Sequence, residues 1–404
     1  MLETEPKGFS EDVPRRLSAT RLRLIPPREA IGLAYGYGFD DVSLVPDMQT
    51  VDPELCDLSW RLDGLAFDLP LLAAAMDGVV DPRFAVELHR QGGLAVLNLE
   101  GLHARCEDPE LVYERIAAAT SAEAPTLLQE VYTAPIRETY VRRSVRRVKD
   151  SGARLAVSST PLNAEWLLSV ALSEGADILV VQSTVTSARH LSASGASLDL
   201  ESFCRRSPAP VIIGNTVAYE PALALMEAGA AAILVGVGPG AECTSRDVLG
   251  IGMPQISATL EVAAARDEYK HATGRHVAII TDGGMRTSGD MVKALAAGAD
   301  AVMLGAPLAQ TTEAPGRGYN WGMASFHGTL PRGTRINVGT NASLEQILYG
   351  PATVNSGTQN LAGAIRTAMA ALGARTIEEL HDVRMIHAPA IKTEGKLHQL
   401  RGNL

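Results

Sequence analysis

The chain has 404 residues, 46% of them hydrophobic and 20% charged, with a formal net charge of −10. That balance supplies a large core and argues against a general nucleic-acid binder. The four cysteines, Cys56, Cys106, Cys204 and Cys243, form no CxxC pair and no ligand cluster; neither a disulfide framework nor a zinc site is indicated, and a reducing, cytoplasmic compartment is expected.

Residues Met1–Arg28 are charged and proline-containing and read as a loose arm, with residues 29–404 expected to form one catalytic domain. No apolar run approaches a membrane span, so no membrane partner is expected. From about Tyr35 a rhythm sets in, with short apolar runs alternating with amphipathic stretches. The runs are Leu69–Ala75, Leu94–Leu99, Thr126–Val131, Leu155–Ser158, Ile178–Gln182, Val211–Gly214, Ala231–Gly236, Val277–Thr281 and Ala301–Gly305. Between them lie helical patterns such as Pro82–Gln91, Ala164–Ser173, Glu220–Ala228 and Ser288–Ala297. Apolar strands separated by helices signal a parallel sheet covered on both faces. Polar and glycine residues stand at the same end of nearly every run, as at the active face of a (β/α)8 TIM barrel. Nine candidate strands compete for eight places; the extra one is expected to be Thr126–Val131, in an irregular connection from about Ala104 to Ser151. After Gly305 the rhythm breaks, and Gln310–Pro351, rich in Gly, Thr and Asn, reads as a flap over the active face. A helical pattern over Ala362–Leu372 and a short tail follow.

The chemistry gathers at the strand ends. Val235–Gly252 is a glycine-rich loop presenting Cys243, Thr244, Ser245 and Arg246. A cysteine there is either a nucleophile or an incidental thiol in a turn. Asp282–Gly283–Gly284 and Gly305–Ala306 end the last two runs, where many barrels hold a phosphate on backbone N–H groups. Asp282 suits ribose hydroxyls. Glu313 reads as a general base facing the cysteine or as a surface glutamate, and Asn98 and Glu100 either face ligand or cap a helix. Neither a P-loop nor a dinucleotide fingerprint occurs, so a redox cofactor would bind without a Rossmann domain.

Taken in order, AAAMDGVVD (Ala73–Asp81), GNTV (Gly214–Val217), VGVGPGAECTSR (Val235–Arg246), DGGMRTSGD (Asp282–Asp290), MLGAPLAQTTEAPG (Met303–Gly316) and WGMAS (Trp321–Ser325) resemble the IMP dehydrogenase/GMP reductase family over about residues 35–396. The resemblance implies that Cys243 attacks C2 of the purine, with Ser245 and Glu313 as its hydroxyl and acid partners. It implies that Asp282 binds the ribose, and that Gly284 and Gly305 offer N–H groups to the 5′-phosphate beside Ala306, where the family usually has a serine. Backbone atoms of Met323 and Ala324 would meet the base. Gln182 (in place of an expected aspartate), Asn215 and Gly236 would lie near the nicotinamide of NAD, with NADP as the alternative. A monovalent cation such as K+ would bind the carbonyls of Gly238, Gly240 and Cys243, and a homotetramer or octamer is implied. The nucleotide-sensing insert of the long dehydrogenases is replaced by the Ala104–Ser151 connection, as in a short bacterial branch.

Three functions follow. An IMP dehydrogenase would convert IMP to XMP with NAD through a covalent cysteine adduct, in guanine nucleotide biosynthesis. A GMP reductase would run GMP to IMP with NADPH. A nucleotide-binding regulator would have lost catalysis. The flap lacks the Arg-Tyr pair with which the dehydrogenases activate water, which favours the reductase; Arg332 and Arg335 are the cations left to assist. The TTEAPG segment and the TEGK tail (Thr393–Lys396) favour the dehydrogenase, which is the preferred reading.

Overall fold

The computed structural model describes residues 33–192, 197–323 and 334–389. Its centre is a closed barrel of eight parallel strands: β1 (Leu71–Ala73), β2 (Leu94–Asn98), β3 (Ala156–Ser159), β4 (Ile178–Gln182), β5 (Val211–Thr216), β6 (Ala232–Val235), β7 (Ala278–Asp282) and β8 (Ala301–Leu304). Each strand pairs with its sequence neighbour, and β8 returns to β1. This is a (β/α)8 barrel, and its strands are the eight other runs expected.

The strands are apolar at nearly every position because both faces are buried. Leu72, Leu94, Val96, Ile178, Val180, Ile212, Leu234 and Ile280 fill the barrel interior. Their neighbours in sequence, such as Leu71, Leu97, Leu179, Ile213, Ile233 and Ile279, pack outward against the helices. Period-two alternation thus separates two cores rather than core from solvent. Just before β1, a hairpin of Trp60–Leu62 and Leu65–Phe67 turns through Asp63 and Gly64, both at positive φ. Trp60, Leu62 and Phe67 join the interior cluster, closing the end of the barrel away from the strand C-termini. The open end is therefore the C-terminal one.

Thr126–Val131 is not a strand. It lies within the helix Ala124–Thr133, where Leu128, Val131 and Tyr132 are buried at helical spacing. The connection from β2 to β3 is correspondingly helical, with Leu102–Arg105, Pro109–Ala118, Ala124–Thr133 and Glu138–Lys149. Its inner face forms a third apolar cluster, in which Tyr113, Ile116, Leu128 and Tyr132 meet Trp321. The stretch after Gly305 is also more regular than its composition suggests. β9 (Tyr319–Trp321) pairs antiparallel with β10 (Arg335–Asn337), and the helix Leu344–Tyr349 follows, capped by Ser343. The last helical pattern is the helix Leu361–Leu372. Among the described residues no helix is long and apolar enough to cross a membrane. The arm over residues 1–28 and the Thr393–Lys396 tail lie outside the described residues.

Candidate active site

The C-terminal ends of the strands and the Cys243 loop enclose a cavity of about 590 Å³, within the range that holds a nucleotide-sized ligand. It is lined by Cys243 and Ser245, by Asp282, Gly284, Gly305, Ala306 and Met323, by Gln182, Asn215 and Gly236, and by Gly238 and Gly240. These residues, from six separate stretches of the sequence, thus face one space. Arg332 and Ala324 lie outside the described residues.

Cys243 follows β6 on a loop that leaves the barrel through Gly236. Gly236 has φ 151°, and a Cβ there would stand 2.4 Å from the carbonyl oxygen of Asp282, so no other residue fits without moving β7. The side-chain amide of Gln255 locks the same corner, donating to the carbonyls of Val235 (2.7 Å) and Asp282 (2.9 Å). On this base Cys243 Sγ and the fully buried Ser245 hydroxyl share a hydrogen bond of 3.0 Å. Sulfur, hydroxyl and cavity are therefore in the relation a nucleophile and a proton-relaying partner require. The Cys243 N–H donates to the Gly240 carbonyl (3.1 Å). That leaves the oxygen a second lone pair for a cation.

Asp282 ends β7 and receives a hydrogen bond from the Asn215 amide at 2.7 Å. Burial pushes its carboxyl up to about 6, the Asn215 bond pulls it back and the Glu242 charge pushes it further up. A carboxyl raised in this way costs the fold nothing below the unfolded value near 3.8 and costs stability as pH rises through about 6. On the far side of the mouth, Glu100 lines the cavity at the end of β2. One of its oxygens accepts from Ser159 Oγ, Thr160 N and Thr160 Oγ1 at 2.7–2.9 Å. Asn98 caps the same turn, accepting from the Glu100 N–H. Gln182 Oε1 is buried beside this polar sector and accepts no hydrogen bond, so the sector has a spare acceptor for a ligand hydroxyl or amide.

Two expected residues stand elsewhere. Glu313 is exposed, does not line the cavity, and accepts from the Leu344 N–H (2.8 Å) and the Thr312 hydroxyl (3.0 Å). It tethers the first turn of the Leu344–Tyr349 helix, where a carboxylate suits the unpaired N–H groups, and it does not meet Cys243. Arg335 turns its guanidinium to the carbonyls of Ile116 and Ala119 at the end of the Pro109–Ala118 helix, over the Tyr319 ring (4.3 Å). It fastens the flap base to the helical connection rather than facing the cavity. Conversely, sequence reading passed over Glu242, which is buried in the cavity wall and accepts a 2.6 Å hydrogen bond from the Asn320 amide. A charged residue next to the cysteine, inside a run of small residues, was the available signal.

A family model described as the IMP dehydrogenase / GMP reductase domain matches residues 36–398. An uncharacterized oxidoreductase of Mycobacterium tuberculosis is 39% identical over 356 residues, covering 86% of this chain and 95% of the relative. The inosine-5′-monophosphate dehydrogenase of Aquifex aeolicus is 28% identical, covering 86% of this chain and 91% of the enzyme. That of Borreliella burgdorferi is 30% identical, covering 69% and 70%. The crystal structure of an IMP dehydrogenase/GMP reductase-like protein from Corynebacterium glutamicum superposes with a TM-score of 0.84 at 37% identity, covering 89% of this chain and 96% of that one.

Proposed function

The chain belongs to the IMP dehydrogenase/GMP reductase family of oxidoreductases, and we propose that within it this protein is an IMP dehydrogenase, oxidising IMP at C2 to XMP in guanine nucleotide synthesis. The observation that carries the reading is the Cys243–Ser245 pair facing a cavity that also holds Asp282. The direction is supported by the two relatives above whose names state an activity; both are IMP dehydrogenases.

In this reading the Cys243 sulfur adds to C2 of the hypoxanthine ring. NAD, when bound, supplies the acceptor for the hydride that leaves C2. The unpartnered Gln182 Oε1 and the Glu100 carboxylate form the polar wall suited to its ribose, which is the fit the described residues offer. Cys243 is then displaced from C2 by water, giving XMP and restoring the thiol. Ser245, in hydrogen-bond contact with the sulfur, is placed to take and pass the proton. Glu313 does not complete a relay in this geometry. A K+ ion would use the carbonyls of Gly238, Gly240 and Cys243, and a tetrameric assembly in the cytoplasm fits the family.

The test is a steady-state assay of reduced nicotinamide with two substrate pairs. IMP with NAD is expected to yield NADH. Consumption of NADPH with GMP, and no NADH from IMP, would overturn the direction in favour of the reductase. A pH prediction follows from Asp282. Two ribose hydroxyls need an ionised carboxylate as acceptor, and Asp282 loses its charge as pH falls through about 6. Affinity for the ribose-bearing substrate is expected to decline below that pH, seen as a rise in KM. In Asp282→Asn the acidic limb should vanish; an unchanged limb would remove Asp282 from ribose binding.

A further inference from the structure

Met323 stands two residues past β9 and, with Gly322, lines the cavity. The hairpin that carries this piece of wall has three residues in each strand. A two-stranded hairpin that short is marginal by itself, so the course of the wall depends on what holds the hairpin. Much of the hold comes from the helical connection between β2 and β3. Arg317, just before β9, reaches Glu114 (3.3 Å) and Glu110 (3.5 Å) on the Pro109–Ala118 helix. Arg335 in β10 donates to the carbonyls of Ile116 and Ala119 at the C-terminal end of the same helix, where a cation suits the unpaired carbonyls. Trp321 is 1% exposed and packs against Tyr113 of that helix.

Tyr132 makes the tie that reaches the cavity. The residue is buried, and its oxygen lies 2.6 Å from Asp77 Oδ2, 2.8 Å from Trp321 Nε1 and 3.4 Å from Met323 Sδ. The indole donates to this oxygen. Its one proton faces the carboxylate, with the sulfur, a weak acceptor, beside it. Asp77 thus fixes the direction of the hydroxyl, and the hydroxyl fixes an indole and a thioether two residues apart. Methionine is unbranched and turns about three bonds, so in a cavity wall it takes whatever course its neighbours leave. Here the phenol edge selects that course.

We infer that Tyr132 is a positioning residue for the ligand. Acting through Met323 and Trp321, it holds the Gly322–Met323 wall in the shape that receives the purine, which makes the connection between β2 and β3 part of the binding machinery. The inference rests on the proposed purine chemistry for the identity of the ligand. Without the hydroxyl, the ligand itself must order the wall as it binds, and that cost falls on affinity. Cys243 and Ser245 stand on the loop after β6 and keep their contact, so the chemical step is spared.

Steady-state kinetics and amide hydrogen exchange of the full chain test this in wild type, Tyr132→Phe and Leu128→Ala. Leu128 is 3% exposed in the same helix and the same apolar cluster, so its truncation weakens the packing while leaving the hydroxyl in place. In Tyr132→Phe the KM for the nucleotide is expected to rise about three- to tenfold, with kcat within about twofold of wild type. Exchange over Tyr319–Met323 is expected to quicken by about threefold or more. Leu128→Ala should lower stability and leave KM unchanged. An unchanged KM in Tyr132→Phe would overturn the inference even if exchange quickens, since the hydroxyl would then hold the flap base without bearing on the ligand. An equal rise of KM in Leu128→Ala would also overturn it, because general loosening of the cluster would suffice. KM is read with whichever pair turns over, IMP with NAD or GMP with NADPH, so a reversed direction overturns the dehydrogenase reading and leaves this test standing. If neither pair turns over, the Kd of IMP and GMP by calorimetry takes the place of KM; absence of binding by both overturns both readings.

Discussion

Cys243→Ala is expected to abolish turnover with IMP and NAD while leaving purine binding within a few-fold of wild type. The sulfur forms the bond on which the proposed reaction depends, and removal of a covalent nucleophile in other enzymes costs on the order of 10⁶-fold in kcat. The groups that would hold the ligand, namely Asp282, the Gly283–Gly284 turn and the Gly305 turn, belong to other strands and do not pack through the Cys243 side chain. Alanine removes one thiol from a loop whose geometry is fixed by Gly236 and Gln255, so the loop should keep its course. Ser245 loses its 3.0 Å partner and can turn to water in the cavity. Calorimetry and rapid mixing together separate the outcomes. Retained binding with no burst of NADH supports covalent chemistry; a residual rate near wild type would falsify it.

The barrel could be read from the chain because its signal is repeated eight times and depends on periodicity alone. The Thr126–Val131 run was misread for a physical reason. Leu127, Leu128, Val131 and Tyr132 are dense enough to look like a strand, but Leu128, Val131 and Tyr132 are spaced to cover one side of a helix. Strand ends carried much of the site: Asn98, Glu100, Gln182, Asn215, Asp282, Gly284 and Gly305 all line the cavity, while Gly214 and Arg246 do not. The failures, Glu313 and Arg335, sit where the chain departs from the βα rhythm. A side chain's direction there depends on which element it happens to cap, and Glu313 meets the Leu344 N–H across 31 positions of sequence. Glu242 was missed for the opposite reason. Its neighbours made the loop look explained, and its partner Asn320 is 78 positions away.

Asp77→Ala is expected to give the largest loss of stability of any single change near the site. Asp77 stands four residues past the end of β1 and is 2% exposed. Its Oδ2 accepts from the Leu102 N–H (2.8 Å) and the Tyr132 hydroxyl (2.6 Å), and the Tyr132 oxygen accepts from the Trp321 indole (2.8 Å). One carboxylate therefore joins the barrel to the helical connection and, through Tyr132, to β9 at the flap base. Space is equally tight: a Cβ on Gly101 would come within 2.0 Å of Asp77 Oδ1. Alanine would leave the buried Leu102 N–H without its acceptor, at a cost of about 1–3 kcal/mol, and the Tyr132 hydroxyl with the weaker sulfur acceptor of Met323 at 3.4 Å, with a cavity besides. The expected loss is about 3–5 kcal/mol, the range for removing one member of a buried charged network. Tyr132→Phe deletes the hydroxyl but keeps the ring, and should cost about 1–2 kcal/mol, since Leu102 keeps its acceptor. If the two changes act through one network, the double variant will be less destabilised than their sum. Urea titration of the three variants measures this. Additive losses would mean that Asp77 holds the Leu102 turn alone, and that the flap base is anchored by Trp321 packing against Tyr113 rather than through the carboxylate.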